Sequence, residues 1–185
     1  MKKPLLIFFA AICTGYAFWS CEKDDICPDE TPTTPSLVIE FYDEGNRSLA
    51  KNVNGLSIHA EGRNNYVRLN DTGDTIVSDV STIKIPLKTD ADSVQYIFTL
   101  NTGNTPENTG DDANENIVTF NYIRNEVYVS RACGFKTLYT LNSNGLTGVV
   151  PGIIADTENI PWILETEIIK TNIEDENEEH IRIYF

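Results

Sequence analysis

Side chains that do chemistry are scarce in this chain. Its 185 residues hold two histidines, His59 and His180, and four cysteines. Neither histidine stands in an H-x-H or H-x-x-x-H spacing that would aim two imidazoles at one metal ion. No G-x-S-x-G turn lifts a serine nucleophile above a sheet, and no glycine-rich loop ending in Lys-Ser/Thr cradles a phosphate. Basic residues are also few: 14 Lys and Arg stand against 28 Asp and Glu, a formal net charge of −14. There is no basic patch and no basic strip interleaved with aromatics. So acidic a body is repelled by nucleic acid and by anionic lipid, which points away from nucleic-acid binding. No segment sustains the 3.6-residue apolar stripe of an amphipathic helix.

Carboxylates are plentiful, but plenty is not a site. A glycosidase needs two acids at a fixed separation in a cleft, usually lined by aromatics, and Trp162 is the one tryptophan beyond residue 19. Asp111, Asp112, Asn114 and Glu115 form an oxygen-rich run without the D-x-[DN]-x-[DN]-G spacing of a calcium loop. It reads as a solvated loop, and Glu174 to Glu179 as a solvated hairpin tip. Nothing local supports pairing Cys133 with His59 as a nucleophile and base. The expectation is a non-enzymatic protein with no catalytic residues, no metal and no cofactor.

The N-terminus is the most informative stretch. Lys2 and Lys3 precede an apolar run from Leu5 to Ile12, and the apolar character ends near Trp19. That is shorter than the roughly 20 residues of a spanning helix and fits a cleaved targeting segment over residues 1–20. Ser20-Cys21 resembles the end of a lipobox, where a small residue must precede the cysteine that receives lipid. Cys13 follows bulky Ile12 and fits only as part of the apolar run, while Phe18 and Trp19 depart from the usual lipobox. Cleavage before Cys21 would leave lipid on its sulfur, and two or more acyl chains anchor a protein stably. Lys23, Asp24 and Asp25 then resemble the acidic export signal of surface-displayed Bacteroidota lipoproteins. Loss of Lys2 and Lys3 makes the remaining chain more acidic still.

With Cys13 removed and Cys21 lipidated, Cys27 and Cys133 remain. Two thiols in an exported protein most often pair with each other; two buried free thiols or an intermolecular bond are the alternatives. The intramolecular bond would close a loop of roughly 100 residues, worth about 4–5 kcal/mol in the chain-entropy model. Residues 21–35 otherwise form a tether with Pro28, Pro32 and Pro35 among threonines, extending about 3.1 Å per residue when free. Bonding Cys27 would leave only residues 22–26 free and hold the body within about 15–20 Å of the lipid, with Thr31–Pro35 lying along it as an ordered edge.

Residues 36–185 read as one all-β domain. Apolar and polar residues alternate at Leu37/Ile39/Phe41, Ile83/Ile85/Leu87, Val94/Tyr96/Phe98/Leu100 and Val118/Phe120/Tyr122, the last alternating with Thr119, Asn121 and Ile123. Val127–Val129, Leu138–Leu141, Ile163–Ile169 and Ile181–Phe185 add further strands, and Leu56–His59 and Tyr66–Leu69 are weaker candidates. Period-two alternation with β-branched and aromatic residues is the strand signature. Polar turns are expected at Asn64-Asn65, Asp71–Asp74, Asn101–Asn116 and Asn142–Gly145, with Arg124-Asn125 turning a hairpin. Pro86 marks its strand as an edge or a bulge. Eight or nine short strands predict an antiparallel β-sandwich, immunoglobulin-like or related, with Trp162 in the core or at a strand entry.

Asp74-Thr75-Ile76 and Asp92-Ser93-Val94 resemble the acceptor motif for O-glycosylation in exported Bacteroidota proteins, with Thr75 and Ser93 as the acceptors. The opening Cys21-Glu-Lys-Asp-Asp-Ile-Cys27-Pro28, continuing through Thr31-Pro-Thr-Thr-Pro35 to Leu37-Val-Ile-Glu-Phe-Tyr-Asp43, resembles a Bacteroidota cell-envelope lipoprotein family of unknown function. Tyr128-Val-Ser-Arg-Ala-Cys-Gly-Phe135 resembles that family's later signature. The resemblance covers essentially residues 21–185. It implies a cell-envelope lipoprotein of no known activity, pairs a cysteine in each signature, and suggests work beside an outer-membrane β-barrel protein; the lipid anchor itself is expected in the outer membrane. A non-enzymatic module binding a protein or a glycan is expected, surface-exposed rather than periplasm-facing. A periplasmic accessory subunit for an outer-membrane protein is the second reading and a hydrolase the third.

Overall fold

The computed structural model describes residues 26–29, 31, 33–102, 109–151 and 161–185, excepting the side chains of 102, 109–113 and 143–151. The described residues form eleven strands and no helix. They fall into two compact units. The larger holds Pro32–Val127 with Lys136–Phe185; the smaller joins the described N-terminal residues to Tyr128–Phe135.

The larger unit is a two-sheet β-sandwich. In the first sheet β1 (Leu37–Asp43) is central. Its first half pairs antiparallel with β5 (Thr82–Ile85), its second half with β2 (Asn46–Ala50). On its other side β11 (Ile181–Tyr184) lies parallel to it, and β9 (Glu165–Ile168) pairs with β11. A parallel neighbour needs a long connection, and almost the whole chain runs between β1 and β11. The second sheet runs β10 (Asn172–Ile173), β8 (Gly134–Pro151), β7 (Thr109–Ser130), β6 (Ser93–Thr102), β3 (Leu56–Ala60), β4 (Ile76–Val77).

Period-two alternation explains the core. Leu37, Ile39 and Phe41, Ile181 and Ile183, and Ile83 and Ile85 turn inward from the first sheet. Val94, Tyr96 and Phe98, Val118, Phe120 and Tyr122, and Tyr139 and Leu141 turn inward from the second. Phe41, Trp162 and Phe185 pack ring against ring. Trp162 is buried and its indole N–H donates to the Phe98 carbonyl at 3.4 Å.

Three buried phenols bind the segment after β5. Tyr96 on β6 donates to the Pro86 carbonyl at 2.7 Å, and Tyr139 on β8 to the Leu87 carbonyl at 3.2 Å. Between them Tyr122 on β7 donates to the Lys88 carbonyl and accepts from the Lys88 N–H. Burial pushes the Tyr96 and Tyr122 hydroxyls up to about 12, so each stays protonated as a donor. Pro86 lies just past the end of β5, whose strand partner is β1 alone, as its missing N–H requires.

Several sequence expectations are corrected. Among the described residues strands number eleven, where eight or nine are expected; β2, β4 and β10 are too short or too exposed to show an alternation. Arg124-Asn125 is not a turn: β7 runs unbroken to Ser130, because Arg124 spends its polar group on the Asp92 carboxylate and the Thr89 carbonyl. Asn114–Asn116 is not loop but strand, paired with Phe98–Leu100, since ladder bonds do not depend on side-chain polarity. The 142–145 stretch lies inside β8. Glu174–Glu179 is not a hairpin tip; it crosses from β10 in one sheet to β11 in the other, with Glu176 accepting from the Ser36 N–H and pairing with Lys84.

Candidate functional site

The smaller unit is built around a covalent bond. β7 and β8 are joined by the turn Arg131–Cys133, closed where Gly134 takes a left-handed φ of 71°, a conformation glycine adopts without strain. The Cys133 N–H donates to the Ser130 hydroxyl. Cys133 is joined to Cys27 by a disulfide across 106 residues, with Cα atoms 4.8 Å apart. Tyr128 and Phe135 face each other across the hairpin end, ring centroids 5.4 Å apart in edge-to-face contact. Yet they are 59% and 67% exposed, and Ile26 beside the disulfide is 80% exposed.

In the larger unit an open groove of about 740 Å³ lies across β6, β7 and β8, lined by Asp92, Ser93, Asn121, Ile123, Arg124, Glu126 and Asn142, with Tyr122 at its floor. Ile123 points outward because Tyr122 beside it points inward, and it is 61% exposed. The Arg124 guanidinium bonds Asp92 at 2.7 Å and Thr89 at 2.6 Å, and the Asp92 carboxylate raises the Arg124 pKa further. The groove thus presents one exposed aliphatic side chain, one ion pair, two amides, the Ser93 hydroxyl and the Glu126 carboxylate.

His180 is fully buried. Its Nδ1 accepts from the Val38 N–H at 3.1 Å, while the backbone N–H of His180 donates to the Val38 carbonyl at 3.0 Å. Nδ1 as acceptor fixes the neutral tautomer with the proton on Nε2, and Nε2 has no hydrogen-bond partner. Burial, then the nearby Lys170 charge, pull its pKa below the ordinary histidine value. Asn116 is also fully buried; its side-chain oxygen accepts from the backbone N–H groups of Trp162 and Ile163 at 3.0 and 3.1 Å. The sequence shows His180 outside any metal-ligand spacing and places Asn116 at the end of an expected turn. No signal in the sequence marks either, because each acts on backbone far along the chain.

Cys21, Lys23, Asp24 and Asp25 lie outside the described residues. Cys27 and Cys133 are paired. Ser93 is exposed at the head of β6, inside the groove. Thr75 is half-buried just before β4; Asp74 beside it accepts from Thr72 and Asn70, which hold its carboxyl below the usual range. Thr75 and Ser93 are not brought together. His59 on β3 meets the ring of Tyr66, which lies beyond that strand, edge-on. Asn114 and Glu115 sit on β7, whereas the side chains of Asp111 and Asp112 lie outside the described set. Among the described residues no three His, Cys, Asp or Glu side chains converge as a metal site. Nor is any described helix long and apolar enough to cross a membrane.

A family model described as a family of unknown function, DUF6452, matches residues 55–185. The match takes in the Tyr128–Phe135 signature and leaves the Cys21–Asp43 opening outside it. No curated protein and no solved structure matches the chain.

Proposed function

We propose, for a chain that belongs to the DUF6452 family of unknown function, that it is a lipid-anchored module of the bacterial cell envelope that binds a protein or glycan partner and performs no catalysis. The anchor is lipid on Cys21, with Lys23, Asp24 and Asp25 directing the protein to the outer face of the outer membrane of a Bacteroidota cell. The observation that carries the binding reading is the groove over β6–β8, where exposed Ile123 stands beside the Arg124–Asp92 pair and the amide of Asn142. Its outward-facing hydrophobe has no role in the core, and the exposed amide of Asn142 offers donors and an acceptor to a polar partner. Glycosylation of Ser93 would add sugar within the groove itself, and of Thr75 elsewhere.

The test is recovery of a partner from detergent-solubilised envelopes by the wild-type protein and by Ile123→Glu, a substitution at an exposed position that leaves the core intact. The expected result is a protein or glycan retained by the wild type and lost by Ile123→Glu. Equal recovery by both, or none by either, overturns the groove as the binding surface. A periplasm-facing accessory subunit for an outer-membrane β-barrel protein shares the anchor and differs in leaflet. Protease added to intact cells separates the two: a surface module is digested, and a periplasmic one is protected.

A further inference from the structure

The chain has 28 acidic residues, yet none between Glu126 and Asp156, where Arg131 and Lys136 are the only charged side chains. The end of the β7–β8 hairpin falls in this acid-free stretch. Of the seven large apolar side chains exposed among the described residues, three belong to the small unit that contains it: Ile26, Tyr128 and Phe135. Tyr128 and Phe135 hold one another edge-to-face while presenting most of their surface to water. Such a pair, next to a disulfide and on a hairpin end that carries no acid of its own, is an apolar surface open to a cover, with Asp29 exposed two residues from Cys27.

Chain length names the cover. Ile26 is five peptide steps from Cys21, so its Cα cannot lie more than about 18 Å from that of the lipidated residue. Cys27 is one step further, and Cys133 is 4.8 Å from it, Cα to Cα. Phe135 is two steps beyond Cys133. The hairpin end is therefore tied to the anchor through a few residues and one S–S bond, whatever path those residues take. The hairpin end carries no acid of its own, so it meets lipid phosphates at less electrostatic cost than the acid-rich strands and loops of the chain. Aromatic rings with one apolar and one polar side settle at the headgroup level of a bilayer.

We propose that the β7–β8 hairpin end docks onto the bilayer that holds the Cys21 lipid, with Phe135, Tyr128 and Ile26 entering the interface. This rests on the lipid-anchor reading, and the two are tested apart. Phe135→Trp and, separately, Tyr128→Trp replace exposed rings, and Trp162, the other tryptophan beyond residue 19, is buried. The protein in its natural lipid-bearing form is placed in phosphatidylcholine vesicles with or without brominated acyl chains. Flotation reports the anchor; tryptophan emission reports the docking. The expected result is flotation with loss of emission from both new tryptophans in brominated vesicles, while the wild type stays bright. Flotation without quenching overturns the docking and leaves the anchor standing. Neither flotation nor quenching overturns both. An emission shift that follows protein concentration rather than bromine means a second copy covers the hairpin end, which also overturns the docking.

Discussion

His180 shows how much one buried side chain controls here. Its Nδ1 must be unprotonated to accept from Val38, and protonation would set two N–H groups against each other. The folded-state pKa lies below the ordinary 6.5, so on acidification the unfolded chain takes up the proton first. The contribution of His180 to stability is complete above about pH 6.5 and is lost as the pH falls through the depressed folded value. Hydrogen bonds also hold the Asp175 and Glu176 carboxyls low, against burial that raises both, and their contribution fades in a more acid window. Melting temperature followed from pH 7.5 to pH 5.5 should fall for the wild type and stay flat for His180→Gln, whose amide oxygen can accept from Val38. A parallel fall in both rejects this role. Asn116→Ala should cost about 1–3 kcal/mol in chemical denaturation, because it strands the Trp162 and Ile163 N–H groups without acceptors. An unchanged midpoint would show that those groups find another partner.

The elements cohere through contacts that span many residues. Tyr96, Tyr122 and Tyr139 come from three adjacent strands of one sheet and clasp the segment that follows β5 of the other. Replacing Tyr96 or Tyr139 by Phe should cost about 0.5–1.5 kcal/mol; Tyr122→Phe should cost more, about 1–3 kcal/mol, because it leaves the Lys88 N–H and carbonyl both unpaired. Denaturation midpoints for the three variants should follow that order, and a neutral Tyr122→Phe contradicts the clasp. The inward faces of β1, β6 and β7 were legible in the sequence because apolar residues recur there at period two. The partners of the phenols were not, since backbone acceptors have no sequence signature. The groove was half legible: alternation already set Ile123 on the polar face, but nothing joined Arg124 to Asp92. The extent of β7 was misjudged because Asn114, Asn116, Arg124 and Asn125 look like turn residues and are held in the strand by the ladder and by distant partners. The disulfide followed from export and from counting; removing it with Cys27→Ser and Cys133→Ser should cost about 2–5 kcal/mol, seen as a lower denaturation midpoint that reductant then leaves unchanged.

At the scale of the whole molecule, charge and anchoring act together. Several of the scarce cations are used internally: Arg47 with Glu44 and Glu165, Lys84 with Asp71 and Glu176, Lys170 with Glu178, and Arg182 with Glu179. Arg47 and Arg182 also lie over the rings of Tyr184 and Tyr42, which themselves stack. The chain as a whole is acidic, so the proposed attachment to an envelope relies on lipid rather than on electrostatic attraction. The account therefore turns on the sulfur of residue 21, and the direct measurement is membrane fractionation of cells expressing wild type or Cys21→Ser. The wild type should sediment with membranes and carry acyl mass; Cys21→Ser should lose that mass and appear in the soluble fraction. A Cys21→Ser protein that sediments like the wild type, or a wild type without acyl mass, contradicts the account.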